Sequence, residues 1–588
     1  MKVSELIAEF LKHKNISGVF GVTGGASLHL LAAFEKFKFN VIYSHHEQAS
    51  AFAADATWRL SKSVGVAVAT SGPGAMNLIP GIASSFFDSV PTLFLTGQVA
   101  TFRSSENMKV RQFGFQETDI VTMVSPIIKY AKKVVKFDEI LTELEIAIET
   151  ALDGRMGPVL LDIPDDLQRR HLSVSEISLC RDNLKKYQNR NKTVKSQLNK
   201  FNQIFEMLND SNKPLLLVGY GADGYTDEIL DFCVRIGIPI IPTWAVVDRF
   251  PSNNENVVGT AGTHGNRYTN YILQKSDLII SLGCRLDSHF IGSPPGNFAP
   301  LAKKIIIDID SGELTKFKQQ DLDTDVLIEC SVVDFMKYLV DNESRIDVGK
   351  VQKNTQVWKS FIGEVTSELN DATRSLSNDL TNPYMFVRSL SKLTPPNTIM
   401  FSDTGCILAW SMQGMEFSGN TRFIHAFNNT PMGYSIPAAV SAGSLSGKQE
   451  IVCLVGDGSF MMNIQELATL RKNTEKAKIF LINNQGYSMI KQTQEQWFDS
   501  NYFGSGVSDL MFPEYENLAK SFDYKYMKIT CDADINQRVE DVFKANTHVL
   551  CEVQISPDFR VIPQLKYGST LENMDPAVSV SMREKYGL

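Results

Sequence analysis

The chain of 588 residues carries a formal charge of -8, with 43% hydrophobic and 21% charged residues. That is an ordinary globular composition, neither disordered nor fibrous, and the length predicts three or four domains rather than one core. There is no basic block to advertise a nucleic-acid surface and no apolar run near the roughly 20 residues that span a bilayer, while eight dispersed cysteines without a CxxC pair read as reduced thiols in a cytoplasmic protein.

The opening MKVSELIAEFLKHKN interrupts its apolar positions with Glu and Lys at helical spacing, so it reads as an amphipathic helix rather than a signal peptide. Strands are expected at Gly18–Gly21, Val41–Ser44, Gly65–Thr70, Thr92–Thr96 and Pro158–Asp162, several followed by helices, the pattern of a parallel sheet covered on both faces. The polar stretch from Arg181 to Lys200 reads as a connector. A second α/β block begins at Lys213 with PLLLVGYGA, DLIISLGCRL and KKIIIDID, and Asp341–Thr355 reads as the next connector. TIMFSDTG, QEIVCLVGDG and AKIFLINN mark a third block between Pro383 and Pro557. The expected domains are residues 1–175, 195–340 and 365–560, followed by a tail over 561–588, with one α/β topology used three times.

The most informative segment is VCLVGDGSFMMNIQELATLRKNTEKAKIFLINNQGYSMIKQ. Two buried strands end at Gly456-Asp457-Gly458-Ser459 and at Asn483-Asn484-Gln485-Gly486, so both loops leave the strand ends where α/β proteins place ligands. Asp457 offers a hard anionic oxygen and Asn484 a neutral one, both suited to Mg²⁺, and the Gly486 carbonyl can add a third. Gly458 permits close backbone approach, and Ser459 can donate to a phosphate at a helix start. Met462, Leu467 and Leu470 have the spacing of an inward helix face.

Here the chain resembles the thiamine diphosphate (ThDP) enzyme superfamily, whose pattern is GDG followed at a fixed interval by NN; the separation from Asp457 to Asn484 is 27 positions. The resemblance implies three Rossmann-like parallel-sheet domains. At the other end of the chain, in VIYSHHEQASAFAADATWRLS, Glu47 follows a strand and starts an Ala-rich helix. A lone Glu there is ordinarily a helix cap. Together with the metal motif and TSGPGAMNLIPGIA it matches the activating glutamate, a carboxylate that shares a proton with N1' of the aminopyrimidine and so promotes removal of the thiazolium C2 proton. His45 and His46, read as strand residues, would face opposite ways. By the same resemblance Met432 supports the bent cofactor, the Thr430 carbonyl accepts from its 4'-amino group, and Gly24, Thr70, Asn77, Thr404, Gly405 and Tyr487 contribute to its site. Glu47 lies in the first block and Met432–Gly486 in the third, so the family arrangement implies a site between two subunits and at least a homodimer, either dimer or tetramer.

The closer likeness is to the acetolactate synthase branch, including its FAD-containing members, on FGVTGGASLHLL, HHEQASAFAADA, SVPTLFLTGQV, FGFQETDIV, GRMGPVLLDIP, GTHGNRYTN and LGCRLDSHFIG. It implies substrate contacts at Phe115 and Gln116, the latter donating to a developing oxyanion. It also implies a flavin held by Arg155, Gly219, Gly221, Ala222, Gly262, His264, Gly283, Arg285 and Asp308, without net redox chemistry. Taken alone, the second block also fits a Rossmann-like redox module, although it lacks a clean GxGxxG. Cys330 stands where an acidic flavin contact is common.

The departures concern the acceptor. Cys406 and Ile407 replace a Gln-His pair, Thr493 replaces a large tryptophan, and Asp165 replaces a channel lysine. Threonine vacates volume and an acidic group repels a carboxylated acceptor. The expectation is a carboligase that decarboxylates pyruvate and transfers the two-carbon acetyl unit to a ketone. With these departures the chain resembles the FAD-containing synthases of yersiniose formation, which implies a CDP-linked 4-keto-deoxy sugar as the acceptor; ordinary acetolactate synthesis from two pyruvates is the alternative. Oxidase or simple decarboxylase activity and an inactive scaffold are further alternatives. No nucleic-acid or membrane partner is expected.

Overall fold

In the computed structural model, residues 1–16, 18–106, 108–188, 202–370, 380–444 and 449–588 are described. Three parallel sheets follow one another along the chain. The first contains β1 (Gly18–Gly21), β2 (Asn40–Tyr43), β3 (Gly65–Ala69), β4 (Thr92–Gln98), β5 (Tyr130–Lys133) and β6 (Val159–Pro164), in the order β2-β1-β3-β4-β6-β5. The second contains β7 (Pro214–Val218), β8 (Ile240–Pro242), β9 (Leu278–Leu282), β10 (Lys303–Asp308) and β11 (Val326–Glu329), in the order β11-β10-β9-β7-β8. The third contains β12 (Ile399–Ser402), β13 (Arg422–Ile424), β14 (Ile451–Gly456), β15 (Lys478–Asn483), β16 (Lys525–Ile529) and β17 (Val549–Gln554), in the order β13-β12-β14-β15-β17-β16.

Counted from its own first strand, each terminal sheet has the order 2-1-3-4-6-5, and the middle sheet repeats the first four places of it. The central strands are buried on both faces, which is why they read as unbroken apolar runs. The edge strand β5 is YAKK, half-buried throughout, and no apolar run announces it.

Several sequence expectations are corrected. The first connector begins instead as the end of a helix, Val174–Gln188, and the remainder of Arg181–Lys200 lies outside the described residues. Most of Asp341–Thr355 is helical, because Val348–Glu368 buries Val351, Thr355, Trp358, Ile362 and Val365 at helical spacing. The helix after Gly458 breaks into Asp457–Met462 and Glu466–Asn473; Leu467 and Leu470 are buried, but the break resets the phase and leaves Met462 50% exposed. The tail packs on the middle block. Arg267 donates to the carbonyls of Met574 and Pro576, Tyr271 donates to that of Tyr586, and Lys585 pairs with Glu364 and Glu368. All eight cysteines are unpaired, and no helix among the described residues is long and apolar enough to cross a membrane.

The first and third blocks share one hydrophobic core, with Phe52, Ala53 and Phe94 from one side and Tyr434, Ile436 and Leu467 from the other. At its centre Arg59 is 4% exposed and donates to Asp55, Asp88 and the carbonyl of His425. Tyr434 donates to Asp55 across the same boundary, at 2.7 Å.

Candidate active site

Parallel pairing of β14 with β15 sets Gly456 opposite Ile482, so the Asp457 and Asn484 loops emerge side by side. Asp457 is 1% exposed, and its carboxylate accepts from the amides of Gly458 at 2.7 Å and Gly486 at 3.1 Å. Burial pushes its carboxyl up to about 6 against the pull of those amides. Asn484 is 6% exposed, and its Oδ1 has no hydrogen-bond partner among the described residues. Gly458 lies beneath Tyr487, where a Cβ would come within 1.9 Å of the ring, and a Cβ on Gly486, at φ +139°, would strike the Ser505 carbonyl.

A second loop from the same sheet follows β12. Asp403 is fully buried there and accepts from the amides of Thr404, Gly433 and Ser435 at 3.0, 3.0 and 3.1 Å. These bonds fasten the segment carrying Met432 to the strand end. Burial pushes Asp403 up to about 6, opposed by those amides and by the side chain of Ser459. Gly405 has φ +93°. Thr404 and Thr430 touch through their hydroxyls at 2.5 Å.

The first block assembles another cluster. Glu47 opens the helix Glu47–Ser61 and accepts from Asn77 Nδ2 at 3.0 Å. A Cβ on Gly74 would sit 3.1 Å from Glu47 Oε1 and 2.8 Å from Thr70, and one on Gly24 would strike Thr70 at 2.4 Å. Gln116, at φ +61°, packs over Gly72, beside a Phe115 that is 85% exposed. The two histidines follow β2 rather than lying in it: His46 caps the helix by accepting from Gln48 N, and the His45 amide donates to buried Glu466. No hydrogen bond or ion pair among the described residues joins the Glu47 cluster to the Asp457–Asn484–Gly486 cluster of the same chain.

A cavity of about 400 Å³ lies between the middle and third blocks, with Gly219, Gly283, Arg285, Trp244, His289 and Thr430 in its wall. Gly221, Ala222, Gly262, His264, Asp308 and Arg155 do not line it. A Cβ on Gly219 would come within 2.3 Å of the Gly283 carbonyl, and one on Gly262 within 2.8 Å of the His289 carbonyl, so these glycines let loops pack on each other. His264 and His289 approach to 3.2 Å, and burial pushes the His264 imidazole down to about 3. Arg155 spends its guanidinium on Asp310, Glu313 and Ser89, and Asp308 is pushed up to about 6 by burial.

Three family models match in chain order: the N-terminal TPP binding domain of thiamine pyrophosphate enzymes over residues 1–123, the central domain over 201–329, and the C-terminal TPP binding domain over 403–553. Acetolactate synthase 1, chloroplastic, of Zea mays is 30% identical over 590 residues, covering 97% of this chain and 88% of the relative. The corresponding Oryza sativa enzyme is 29% identical over 97% of this chain and 87% of its own length, and that of Arabidopsis thaliana 28% over 97% and 84%. The chain belongs to the thiamine pyrophosphate enzyme family. It is a ThDP-dependent lyase or carboligase of the acetolactate-synthase-like kind.

As a family member the chain needs a divalent-metal and diphosphate site, and the β14–β15 end fits one. A buried carboxylate together with a buried amide oxygen that has no protein partner has the oxygen chemistry of a site for a hard cation. Among the described residues no group of three or more His, Cys, Asp or Glu forms a metal site.

Of the departures from the family pattern, Cys406 and Ile407 are buried in the core, the thiol pushed up to about 12, so neither is a polar group for the site. Thr493 is exposed and its hydroxyl donates back to the Met489 carbonyl. Asp165 lies 3.4 Å from Arg169, whose charge blunts the repulsion expected of it. Sequence reasoning missed Asp403, Arg59 and His425. Only Asp403 carried a signal, an acidic residue directly after a strand in FSDTG.

Proposed function

We propose that the protein decarboxylates pyruvate and transfers the remaining two-carbon acetyl unit to a ketone acceptor. The observation that carries this reading is the buried Asp457 carboxylate and the Asn484 side-chain oxygen that has no protein partner, on neighbouring strand ends of a chain that matches all three ThDP-enzyme domains. In this reading Asp457, Asn484 and the Gly486 carbonyl hold Mg²⁺ and through it the diphosphate. ThDP, when bound, supplies a thiazolium that stabilises negative charge on the donor carbon. Glu47 holds a proton at N1' of the aminopyrimidine, with Asn77 fixing the carboxylate by its amide. The Thr430 carbonyl accepts from the 4'-amino group and Met432 supports the ring junction. Phe115 packs against the acyl group and Gln116 donates to the oxyanion.

Glu47 of one copy faces the metal loop of another in this reading, making the working unit at least a homodimer. Support comes from exposed aromatic side chains on the segment leading to Gln116, where Phe102, Phe113 and Phe115 are 66%, 59% and 85% exposed. FAD is assigned to the cavity between the middle and third blocks as a structural group, supported by Gly219, Gly283 and Arg285 in its wall. An absorbance spectrum of the protein as purified tests this directly.

For the acceptor, the smaller threonine at 493, where the family carries tryptophan, supports something larger than a second pyruvate, and the acceptor proposed is a CDP-linked 4-keto-deoxy sugar. Condensation with a second pyruvate, giving acetolactate, is the second reading. It is favoured by the acetolactate synthases that match 97% of the chain and by the pairing of Asp165. Purified protein is incubated with pyruvate, Mg²⁺ and ThDP, with and without a CDP-4-keto-6-deoxy sugar, and the products are identified by mass. Efficient acetolactate formation with no sugar adduct overturns the first acceptor; absence of any CO₂-releasing turnover overturns the donor.

A further inference from the structure

Thr430 is β-branched and precedes Pro431, yet it has φ +41°. Both features oppose that backbone: branching crowds the left-handed region, and a following proline drives the preceding residue toward extended conformations. Such outliers persist only where the surroundings impose them, and they collect at functional sites. The Thr430 amide donates to the Ala426 carbonyl at 2.8 Å, and a chain of side-chain bonds holds the side chain. His425 is fully buried, with Nδ1 2.9 Å from the Ser402 carbonyl. A carbonyl only accepts, so Nδ1 carries the proton and Nε2 is left as an acceptor. Burial pushes the imidazole down to about 3, which agrees with a neutral ring.

Nε2 lies 3.1 Å from Thr430 Oγ1, so the Thr430 hydroxyl donates to it, and Thr404 donates to Thr430 Oγ1 at 2.5 Å. The ring is set edge-on to Phe427 and Tyr434 at 5.5 and 5.6 Å, and its backbone carbonyl accepts from Arg59. His425 therefore has no freedom to follow Thr430 if that residue relaxes.

We infer that His425 is a positioning residue, clamping the Thr430 side chain so that the Thr430 backbone keeps its left-handed conformation and turns its carbonyl toward the cofactor's amino group. The inference rests on the reading that this carbonyl meets the cofactor. Glycine adopts positive φ without side-chain help, so the clamp is dispensable in a Thr430→Gly background and required in the parent. A general folding role for His425 has no such dependence on residue 430.

The test measures the dissociation constant of ThDP for cofactor-free protein in excess Mg²⁺, by quenching of tryptophan fluorescence. His425→Ala raises it about tenfold, and His425→Ala/Thr430→Gly returns it to within about threefold of the parent. Thr430→Val, which keeps the branched side chain and removes the hydroxyl, reproduces the defect of His425→Ala. If His425→Ala does not fold, tighter binding by Thr430→Gly than by Thr430→Val supports the clamp, and equal binding overturns it. A double variant no better than His425→Ala overturns it too. Parental binding by His425→Ala and Thr430→Val, with Asp457→Asn defective, removes the clamp and spares the metal-site reading. Parental binding by all of them, Asp457→Asn included, removes both.

Discussion

Replacing Arg59 with leucine tests the joint between the first and third blocks. The guanidinium bonds Asp55 at 2.8 and 3.3 Å, Asp88 at 2.8 Å and the His425 carbonyl at 2.9 Å, and Asp55 and Asp88 are 0% and 4% exposed. Leucine leaves two buried carboxylates without their cation, at a cost of about 3–5 kcal/mol for a broken buried pair. It also leaves a buried carbonyl unpaired, for about 1–3 kcal/mol more. The lower ends sum to about 4 kcal/mol, which at about 2.1 cal/mol/K per residue lowers the midpoint of a unit of about 350 residues, the two blocks that share this core, by about 5 °C.

The loss also depends on pH. Burial already raises Asp88 while Arg59 lowers it, so removing Arg59 raises its folded-state pKa further above the unfolded value. A raised carboxyl contributes stability that is fully present below its unfolded pKa and is lost as pH rises through its folded pKa. The deficit of the variant therefore widens from about pH 5 to about pH 8. Thermal unfolding of cofactor-free protein at both pH values is the assay. A midpoint loss below about 3 °C, or one equal at both pH values, refutes the assignment of this cluster as a buried, mutually dependent charge network.

Glu47→Gln should bind ThDP nearly as well as the parent while slowing exchange of its C2 proton by about 100-fold or more, measured by deuterium exchange and NMR; an unchanged rate removes the proposed role. Asn484→Ala should weaken Mg²⁺-dependent ThDP binding by at least about tenfold, about 1.4 kcal/mol, in a calorimetric titration, because it deletes the open amide oxygen. Thr493→Trp should suppress any sugar adduct relative to acetolactate in the mass assay, and an unchanged product ratio shows that residue 493 does not gauge the acceptor.

The features legible in the sequence were local. The Asp457 and Asn484 loops could be read because each directly follows a buried apolar strand, and the register of β14 with β15 does the rest. Glu47 was legible for the same reason, as the first residue of a helix after a strand. Edge strands such as β5 and β13 have too little apolar pattern to stand out. Arg59 and His425 are 366 residues apart and meet by tertiary packing alone. In a one-letter string Arg59 reads as a surface residue of an amphipathic helix. Thr430 is harder still, since a β-branched residue before proline signals extended chain, and it is its amide bond to the Ala426 carbonyl and its hydroxyl bonds with Thr404 and His425 that hold it otherwise.

The shared strand order of the terminal sheets has a consequence for how such a chain can change over time. Corresponding strand ends, β3 in one sheet and β14 in the other, lead to Thr70 in the first case and Asp457 in the second. The scaffold is symmetric but the chemistry at its rims is not. Because the two sheets also share one hydrophobic core, a substitution in either block is felt by both, although the groups at the two rims differ.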